Sequence, residues 1–173
     1  MPVGKIWTVP LTKARTLLSK IAVNVVREYY VAVWGMKIGK GTRISLTAKL
    51  DKTFPAGIEI GEYTAITFQA AVLTHDFHNL AHKTTKIGSY CLIGARSIIM
   101  PGVRIGDHCV IGAGSIVMTN VPSNCLAIGN PARVIDRNIR TTNWGIREDA
   151  YTAALAADQA RKEGVQLDEK VAH

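Results

Sequence analysis

The first 49 residues of the 173-residue chain contain a single acidic side chain, Glu28, against nine lysines and arginines. The remaining residues carry twelve side chains of each sign, so the net charge of +8 is concentrated at the N-terminal end. Such an excess suits an anionic partner, which can be a membrane surface, cofactor phosphates or nucleic acid. Nucleic acid ranks last and we expect no such partner, because no interleaving of aromatic and basic residues accompanies the charge.

No apolar run is long enough to cross a bilayer. The most apolar early stretch, residues 21–36, is interrupted by Asn24, Arg27 and Glu28 and falls short of the ~20 residues that a spanning helix needs. The N-terminus also lacks the charged, apolar and small-residue regions that follow one another in a secretory signal. We therefore expect a cytoplasmic location, with peripheral attachment to the inner membrane face as an open alternative.

Cysteine is scarce as well. The three cysteines, Cys91, Cys109 and Cys125, form an odd set without CxxC spacing, which fits reduced thiols better than a disulfide framework. The chain length predicts one main folding unit with appendages.

What the sequence does contain is a strict repeat of six residues. Aliphatic side chains recur at Ile87, Ile93, Ile99, Ile105 and onward, and small or β-branched residues precede them by two positions. Because residues two apart on a strand face the same side, each hexad supplies two inward positions and a corner, and a glycine beside them avoids a Cβ clash. Residues 87–104 and 105–122 match at ten of eighteen positions, so three hexads form one coil, and Ile87 is predicted to stack on Ile105.

Two interruptions break the earlier repeat. Residues 53–57 form a short loop with turn chemistry, and the gap between Val72 and Ile87 projects an excursion loop, residues 75–84, out of the solenoid. We count about four coils. The predicted organisation is an N-terminal helical segment (1–36), a β-solenoid domain (37–135) and a C-terminal helical tail (136–173).

The N-terminal segment keeps helical spacing of apolar residues from Leu11 to Tyr29, with basic residues on the polar positions. One interpretation is a helix that packs over the open end of the solenoid and hides its strand edges. The alternative is a basic helix, residues 11–34, that lies on anionic lipid. A short Ala-rich helix is predicted from Asp149 to Lys162, ending at Gly164.

The IGxxxxIGAxSIV pattern, the Thr74-His75-Asp76 tripeptide before the excursion and the AIGNPARVI closing segment resemble the hexapeptide-repeat O-acetyltransferases over about residues 38–135. The resemblance implies an all-β left-handed parallel β-helix and a homotrimer whose active sites lie between neighbouring solenoids. It also implies acetyl-CoA as the acyl donor and a sugar or polysaccharide-precursor hydroxyl as the acceptor.

The same resemblance assigns site residues. His75 matches the family's catalytic histidine, and Ala95 and Ala113, with Gly94 and Gly112 before them, match backbone positions along the pantetheine arm. Arg133 matches a residue at the phosphate end of the cofactor. Asp136 stands three positions later, where the family has a basic residue, and Arg137 or Arg140 is the candidate to take its place.

The chemistry expected of His75 is general-base catalysis, because an imidazole can take a proton from a hydroxyl that attacks the thioester and return it to the leaving thiolate. Asp76 or a nearby carbonyl is the candidate that fixes the histidine tautomer.

Four alternatives stay open. His78 can be the base instead, and the spacing of His75, His78 and His82 can bind zinc as in gamma carbonic anhydrases, although no metal is expected. Cys91 or Cys109 can act as a nucleophile. The chain can also be a noncatalytic scaffold.

Overall fold

The structure is a computed structural model that describes residues 25–162. Helix α1 covers residues 25–34 and helix α2 covers Glu148–Lys162. Between them lie sixteen strands and two short 3-10 helices, Pro55–Gly57 and Asn143–Gly145. The strands are β1 Lys37–Ile38, β2 Arg43–Ile44, β3 Lys49–Leu50, β4 Ile58–Ile60, β5 Ala65–Ile66, β6 Ala71–Val72, β7 His75–Asp76, β8 Ala81–His82, β9 Thr85–Ile87, β10 Leu92–Ile93, β11 Ile98–Ile99, β12 Arg104–Ile105, β13 Val110–Ile111, β14 Ile116–Val117, β15 Cys125–Gly129 and β16 Ala132–Arg137.

Most strands belong to three sheets that the chain visits in rotation. Sheet A has the order β1-β4-β9-β12, sheet B the order β16-β15-β13-β10-β5-β2, and sheet C the order β14-β11-β6-β3. Successive strands in each sheet pair in parallel, apart from the antiparallel β15–β16 pair. This rotation produces a three-sided parallel solenoid, as the six-residue repeat predicts.

The core follows from the alternation within each short strand. In the two-residue strands of the three sheets, the first residue points outward, whereas the second is almost completely buried, as at Ile66, Ile93 and Ile111. Ile87 pairs with Ile105 in neighbouring strands of sheet A, which confirms the predicted stacking at an interval of eighteen residues. The small positions Cys91, Ser97, Val103, Cys109 and Ser115 are buried as well.

Glycines at the corners are required by the close approach of successive turns. A Cβ atom on Gly88 would lie 2.6 Å from the backbone of Gly106, far inside van der Waals contact. The positive φ angles at this corner occur two residues later, at Tyr90 and His108. Their rings stack at a centroid distance of 5.0 Å, and Tyr63 extends the column.

The C-terminal strap, residues 138–147, runs back along this corner. The hydroxyl of Thr141 donates to the carbonyl of Tyr90 at 2.6 Å, and the Trp144 indole donates to the carbonyl of Gly41 at 2.8 Å. The Arg43 guanidinium lies 3.4 Å from the centroid of the Trp144 ring. The strap therefore ties the last turn of the solenoid to the first. Helix α2 follows it at the predicted place, and Gly164 lies outside the described residues.

Helix α1 covers the edge strands of the first turn. Tyr30 is buried, and Val26, Val31 and Trp34 pack against the core. The Arg27 side chain donates to the carbonyls of Ile38 and Gly39 at 2.7 and 2.8 Å. The capping interpretation is thus confirmed for residues 25–34, while residues 11–24 of the predicted N-terminal helix lie outside the described residues. Within residues 25–162, no helix combines the length and apolar character needed to cross a membrane.

Candidate active site

His75 lies at the start of the excursion loop, three residues after the end of β6 in sheet C. Strands β7 and β8 turn this loop into an antiparallel hairpin in which His75 pairs with His82. The His75 side chain is 33% exposed, so one part of the ring is held by the protein and another part is accessible. The excursion predicted from the broken repeat is therefore present and carries the histidine at its base.

The residue that holds His75 is Asp51, which sequence analysis missed. Its carboxylate Oδ2 lies 2.5 Å from Nδ1 of His75 and accepts the backbone N–H groups of Thr74 and His75 at 2.9 and 3.0 Å. Its Oδ1 accepts the N–H of Thr53 at 2.9 Å. One buried carboxylate therefore fixes the imidazole and joins the two loops of the solenoid.

These bonds also determine the charge of Asp51. Burial alone would raise the pKa of its carboxyl, but the hydrogen bonds from the Thr74 amide, the His75 ring, the Thr53 amide and the His75 amide outweigh burial and hold the pKa well below its ordinary value. An ionised carboxylate only accepts hydrogen bonds, so Nδ1 of His75 carries the proton and Nε2 of the neutral ring is left as a proton acceptor.

The sequence contains a feature that distinguishes Asp51 from the equivalent residues of the other turns. Asp51 follows the inward residue Leu50, and the equivalent positions of the later turns are apolar, namely Leu73, Met100 and Met118. The register between Leu50 and Val72 then puts Asp51 beside the chain that leads to His75. A charged residue at a repeat position that is otherwise apolar is the mark that could have identified it.

Asp76, which the sequence suggested as the group that fixes the tautomer, is engaged elsewhere in the structure. It accepts the side-chain and backbone N–H groups of Asn79 at 2.7 and 3.1 Å and the Lys83 ammonium at 3.2 Å. These contacts, the Asn79 side chain first, lower the pKa of Asp76 to about 2. The contact with the imidazole belongs to Asp51 because Asp76 closes the turn of its own hairpin.

The other histidines of the hairpin make contacts of their own. His78 is exposed, and the His82 ring stacks on Phe54 at a centroid distance of 5.1 Å. Among the residues that the structure describes, no group of three or more His, Cys, Asp or Glu side chains is arranged to hold a metal ion.

Cys91 and Cys109 are completely buried inside the solenoid. The neighbouring thiol of Cys109 and burial raise the pKa of Cys91, so it does not have the accessible thiolate that a nucleophile needs.

The expected cofactor positions lie at a different corner from His75. Gly94 and Ala95 follow sheet B and precede β11, and Gly112 and Ala113 occupy the same place before β14. His75 instead follows β6, at the opposite end of the strands of sheet C. These two corners lie at opposite ends of sheet C, about five residues apart at ~3.3 Å per residue. Within one chain, the expected cofactor positions are therefore distant from His75.

The basic candidates lie further along, on β16. Arg133 and Arg137 are exposed, and Arg133 Nη1 donates to the carbonyl of Ala132 at 3.0 Å. Asp136 stands where a basic residue was expected. The Arg147 guanidinium lies 3.6 Å from its carboxylate and partly offsets the negative charge. Both arginines are accessible to an anionic ligand.

Comparison with known proteins agrees with this architecture. Residues 84–118 match the bacterial transferase hexapeptide family (six repeats). The protein CapG of Staphylococcus aureus is 35% identical over 158 residues, which cover 82% of this chain and 88% of CapG. The fold and the repeat define a hexapeptide-repeat β-solenoid, and the chain belongs to the hexapeptide-repeat transferase family.

Two further relatives cover less of the chain. YvoF of Bacillus subtilis (strain 168), which carries the name of an acetyltransferase, is 38% identical over 102 residues, or 58% of this chain and 59% of YvoF. A crystal structure of a hexapeptide-repeat-containing acetyltransferase from Vibrio cholerae is 26% identical with a TM-score of 0.52, covering 60% of this chain and 62% of that one. The chain thus spans about three fifths of the length of each.

Proposed function

We propose that the protein is an acetyl-CoA-dependent O-acetyltransferase that acts on a sugar or polysaccharide-precursor hydroxyl, with His75 as the general base. The observation that carries the proposal is the Asp51–His75 pair, in which a buried carboxylate orients an imidazole that is one third exposed, at 33%. Membership of the transferase family and the acetyltransferase names of the relatives support the same reaction.

The pair is suited to direct transfer. With Nδ1 donating to Asp51, Nε2 of His75 accepts the proton of the acceptor hydroxyl as its oxygen attacks the thioester carbonyl. The tetrahedral intermediate collapses when the C–S bond breaks, and the proton on Nε2 passes to the leaving thiolate. Asp51 stabilises the imidazolium that exists between the two transfers. The products are the acetyl ester and free coenzyme A, and no acyl-enzyme forms.

The proposed enzyme is a homotrimer of left-handed parallel β-helices, each with about four coils. The separation of His75 from the Gly94–Ala95 and Gly112–Ala113 positions supports a site between two copies. The tip of the excursion hairpin adds support, because Phe77 and Leu80 are 82% and 88% exposed, and apolar side chains presented together are typical of contact surfaces.

The remaining assignments belong to the same proposal. Backbone groups at Gly94, Ala95, Gly112 and Ala113 line the pantetheine arm, and Arg133 and Arg137 contact the phosphate end of coenzyme A. Asp76 contributes by holding the hairpin rather than by touching the imidazole. The chain divides into the helical segment 1–36, the acyltransferase domain 37–135 and the tail 136–173.

The test measures thiol release from acetyl-CoA with a panel of sugars. The wild-type protein is expected to release free thiol, and His75→Ala is expected to lose about 10²- to 10⁴-fold in rate, the usual contribution of a general base. His78→Ala is the matched control, because this exposed histidine lies in the same hairpin and makes no contact with Asp51. Equal turnover of wild type and His75→Ala would remove His75 from its role.

Binding and assembly measurements separate the alternatives. Thermal stabilisation by coenzyme A is expected of the enzyme and not of a scaffold. Light scattering is expected to give three chains per particle. Metal in the purified protein that is lost on His75 or His78 substitution would favour zinc chemistry instead.

A further inference from the structure

The first turn of the solenoid is basic in a way that the later turns are not. Its outward strand positions are Lys37, Arg43 and Lys49, and all three side chains are exposed. The equivalent outward positions of the later turns are Glu59, Ala65 and Ala71, then Lys86, Leu92 and Ile98, then Arg104, Val110 and Ile116. The repeat itself does not require this charge, because side chains at the outward positions do not pack in the core.

Nearby acids neutralise only part of the charge. Lys37 is bonded to Glu59 at 3.0 Å, yet its side chain is 72% exposed, and Lys40 lies 3.8 Å from Glu62 with 69% of its side chain exposed. Lys49 makes no ion pair within the described part of the chain. The ammonium groups at this end are therefore accessible to an anionic partner.

An apolar stripe accompanies these lysines on helix α1. Val25, Tyr29 and Val33 are 59%, 44% and 64% exposed, and their spacing of four residues puts them on one face. The opposite face packs on the core through Val26, Tyr30, Val31 and Trp34. Among residues 25–162, the three side chains of the outer stripe are not part of the hydrophobic core.

One cation of the solenoid lies directly beside the stripe. The Lys52 ammonium lies 5.9 Å from the centroid of the Tyr29 ring and 4.7 Å from that of Trp34, so a cation of the solenoid adjoins the stripe. Glu28, the acid on the exposed side of α1, is bonded to Arg27. The apolar stripe thus has the Lys52 ammonium at its border.

We propose that this end of the molecule docks on an anionic lipid bilayer, with Val25, Tyr29 and Val33 in the interface and the first-turn lysines at the headgroup phosphates. An exposed apolar helix face bordered by lysines is the pattern of interfacial helices. Tyrosine favours the headgroup level, and lysine stems reach along apolar surface to place the ammonium in the polar layer. The proposal is independent of the catalytic role of His75.

The experiment is sedimentation of the full chain with vesicles of phosphatidylcholine alone and of equal parts phosphatidylcholine and phosphatidylglycerol. Binding is expected only to the anionic vesicles and is expected to weaken as salt is raised. Lys49→Gln with Lys52→Gln removes two cations, and each cation near the surface contributes enough to make the pair bind about 10- to 30-fold more weakly. Val25→Ser with Val33→Ser tests the stripe at sites where serine keeps a similar helix propensity.

Matched controls change the same chemistry at other places. Arg104→Gln with Arg140→Gln removes two exposed cations, and Ile135→Ser with Ile146→Ser removes two exposed apolar side chains. Both pairs are expected to sediment as the wild type does. Absence of binding at low salt, equal binding to neutral vesicles, or equal weakening by the control pairs in folded protein would each overturn the proposal.

Discussion

Replacement of Asp51 by asparagine tests how the candidate site works. The carboxylate accepts four N–H groups, including Nδ1–H of His75 at 2.5 Å. Asparagine keeps the shape but presents one oxygen and one NH₂ group. At least one of the four donors then faces another donor, and where the NH₂ group meets His75 the imidazole turns to the tautomer that has no acceptor at Nε2.

The size of the effect follows from these contacts. A hydrogen bond to a charged group is worth about 1.5–3 kcal/mol, and a buried donor left unpaired costs about 1–3 kcal/mol. We therefore expect Asp51→Asn to lower the free energy of unfolding by about 2–4 kcal/mol. Loss of the carboxylate charge that stabilises the imidazolium, together with loss of the correct tautomer where the NH₂ group meets His75, is expected to lower kcat by about 10²- to 10⁴-fold, with a smaller change in KM for acetyl-CoA.

The assays are thiol release for kcat and KM and urea unfolding for stability, both compared with Asp107→Asn. Asp107 accepts the N–H of Ser89 on the exposed corner of another turn, so its substitution changes the charge equally without touching His75. An unchanged kcat in folded Asp51→Asn, or equal losses in both variants, would refute the assignment of Asp51.

The pH dependence of stability gives the same test a second readout. The pKa of Asp51 is lower in the folded protein than the ordinary ~3.9 of an unfolded chain. Its stabilising effect is therefore complete above about pH 4 and is lost as the pH falls through the folded-state pKa. The stability difference between wild type and Asp51→Asn is expected to shrink on acidification below about pH 4. A difference that stays constant down to the lowest accessible pH would contradict the depressed pKa.

Two further predictions concern the solenoid. A Cβ at Gly94 would lie 2.5 Å from the carbonyl oxygen of Ile111, whereas a Cβ at Gly114 meets nothing within 4 Å. Gly94→Ala is therefore expected to lower the free energy of unfolding by about 3 kcal/mol. Gly114→Ala is expected to lower it by about 1 kcal/mol, because the φ of Gly114 is +69°. Equal losses of stability in urea unfolding would contradict the close approach at Gly94. Trp144→Ala removes the indole bond to Gly41 and the stack with Arg43, and is expected to cost about 2–4 kcal/mol by thermal unfolding. An unchanged midpoint would show that the strap does not hold the first turn.

The sequence by itself determined the solenoid. A six-residue period corresponds to a short strand, in which side chains alternate in direction, followed by a corner. One arrangement, the three-sided solenoid, buries Ile87, Ile105 and the equivalent aliphatic residues together. The broken repeat likewise located the excursion that carries His75, because nine residues beyond a hexad cannot remain in the wall. These features are local in sequence, and their pattern was readable without coordinates.

Tertiary structure decided which groups meet. Asp51 is 24 residues from His75 and reaches it only because consecutive turns stack, whereas the adjacent Asp76 turns to Asn79 and Lys83. The separation of Gly94 from His75 across sheet C was equally hidden, since chain distance says nothing about which corner of the solenoid a residue occupies. Contacts between turns depend on register and on the direction of each side chain, and both are fixed only when the turns pack on one another.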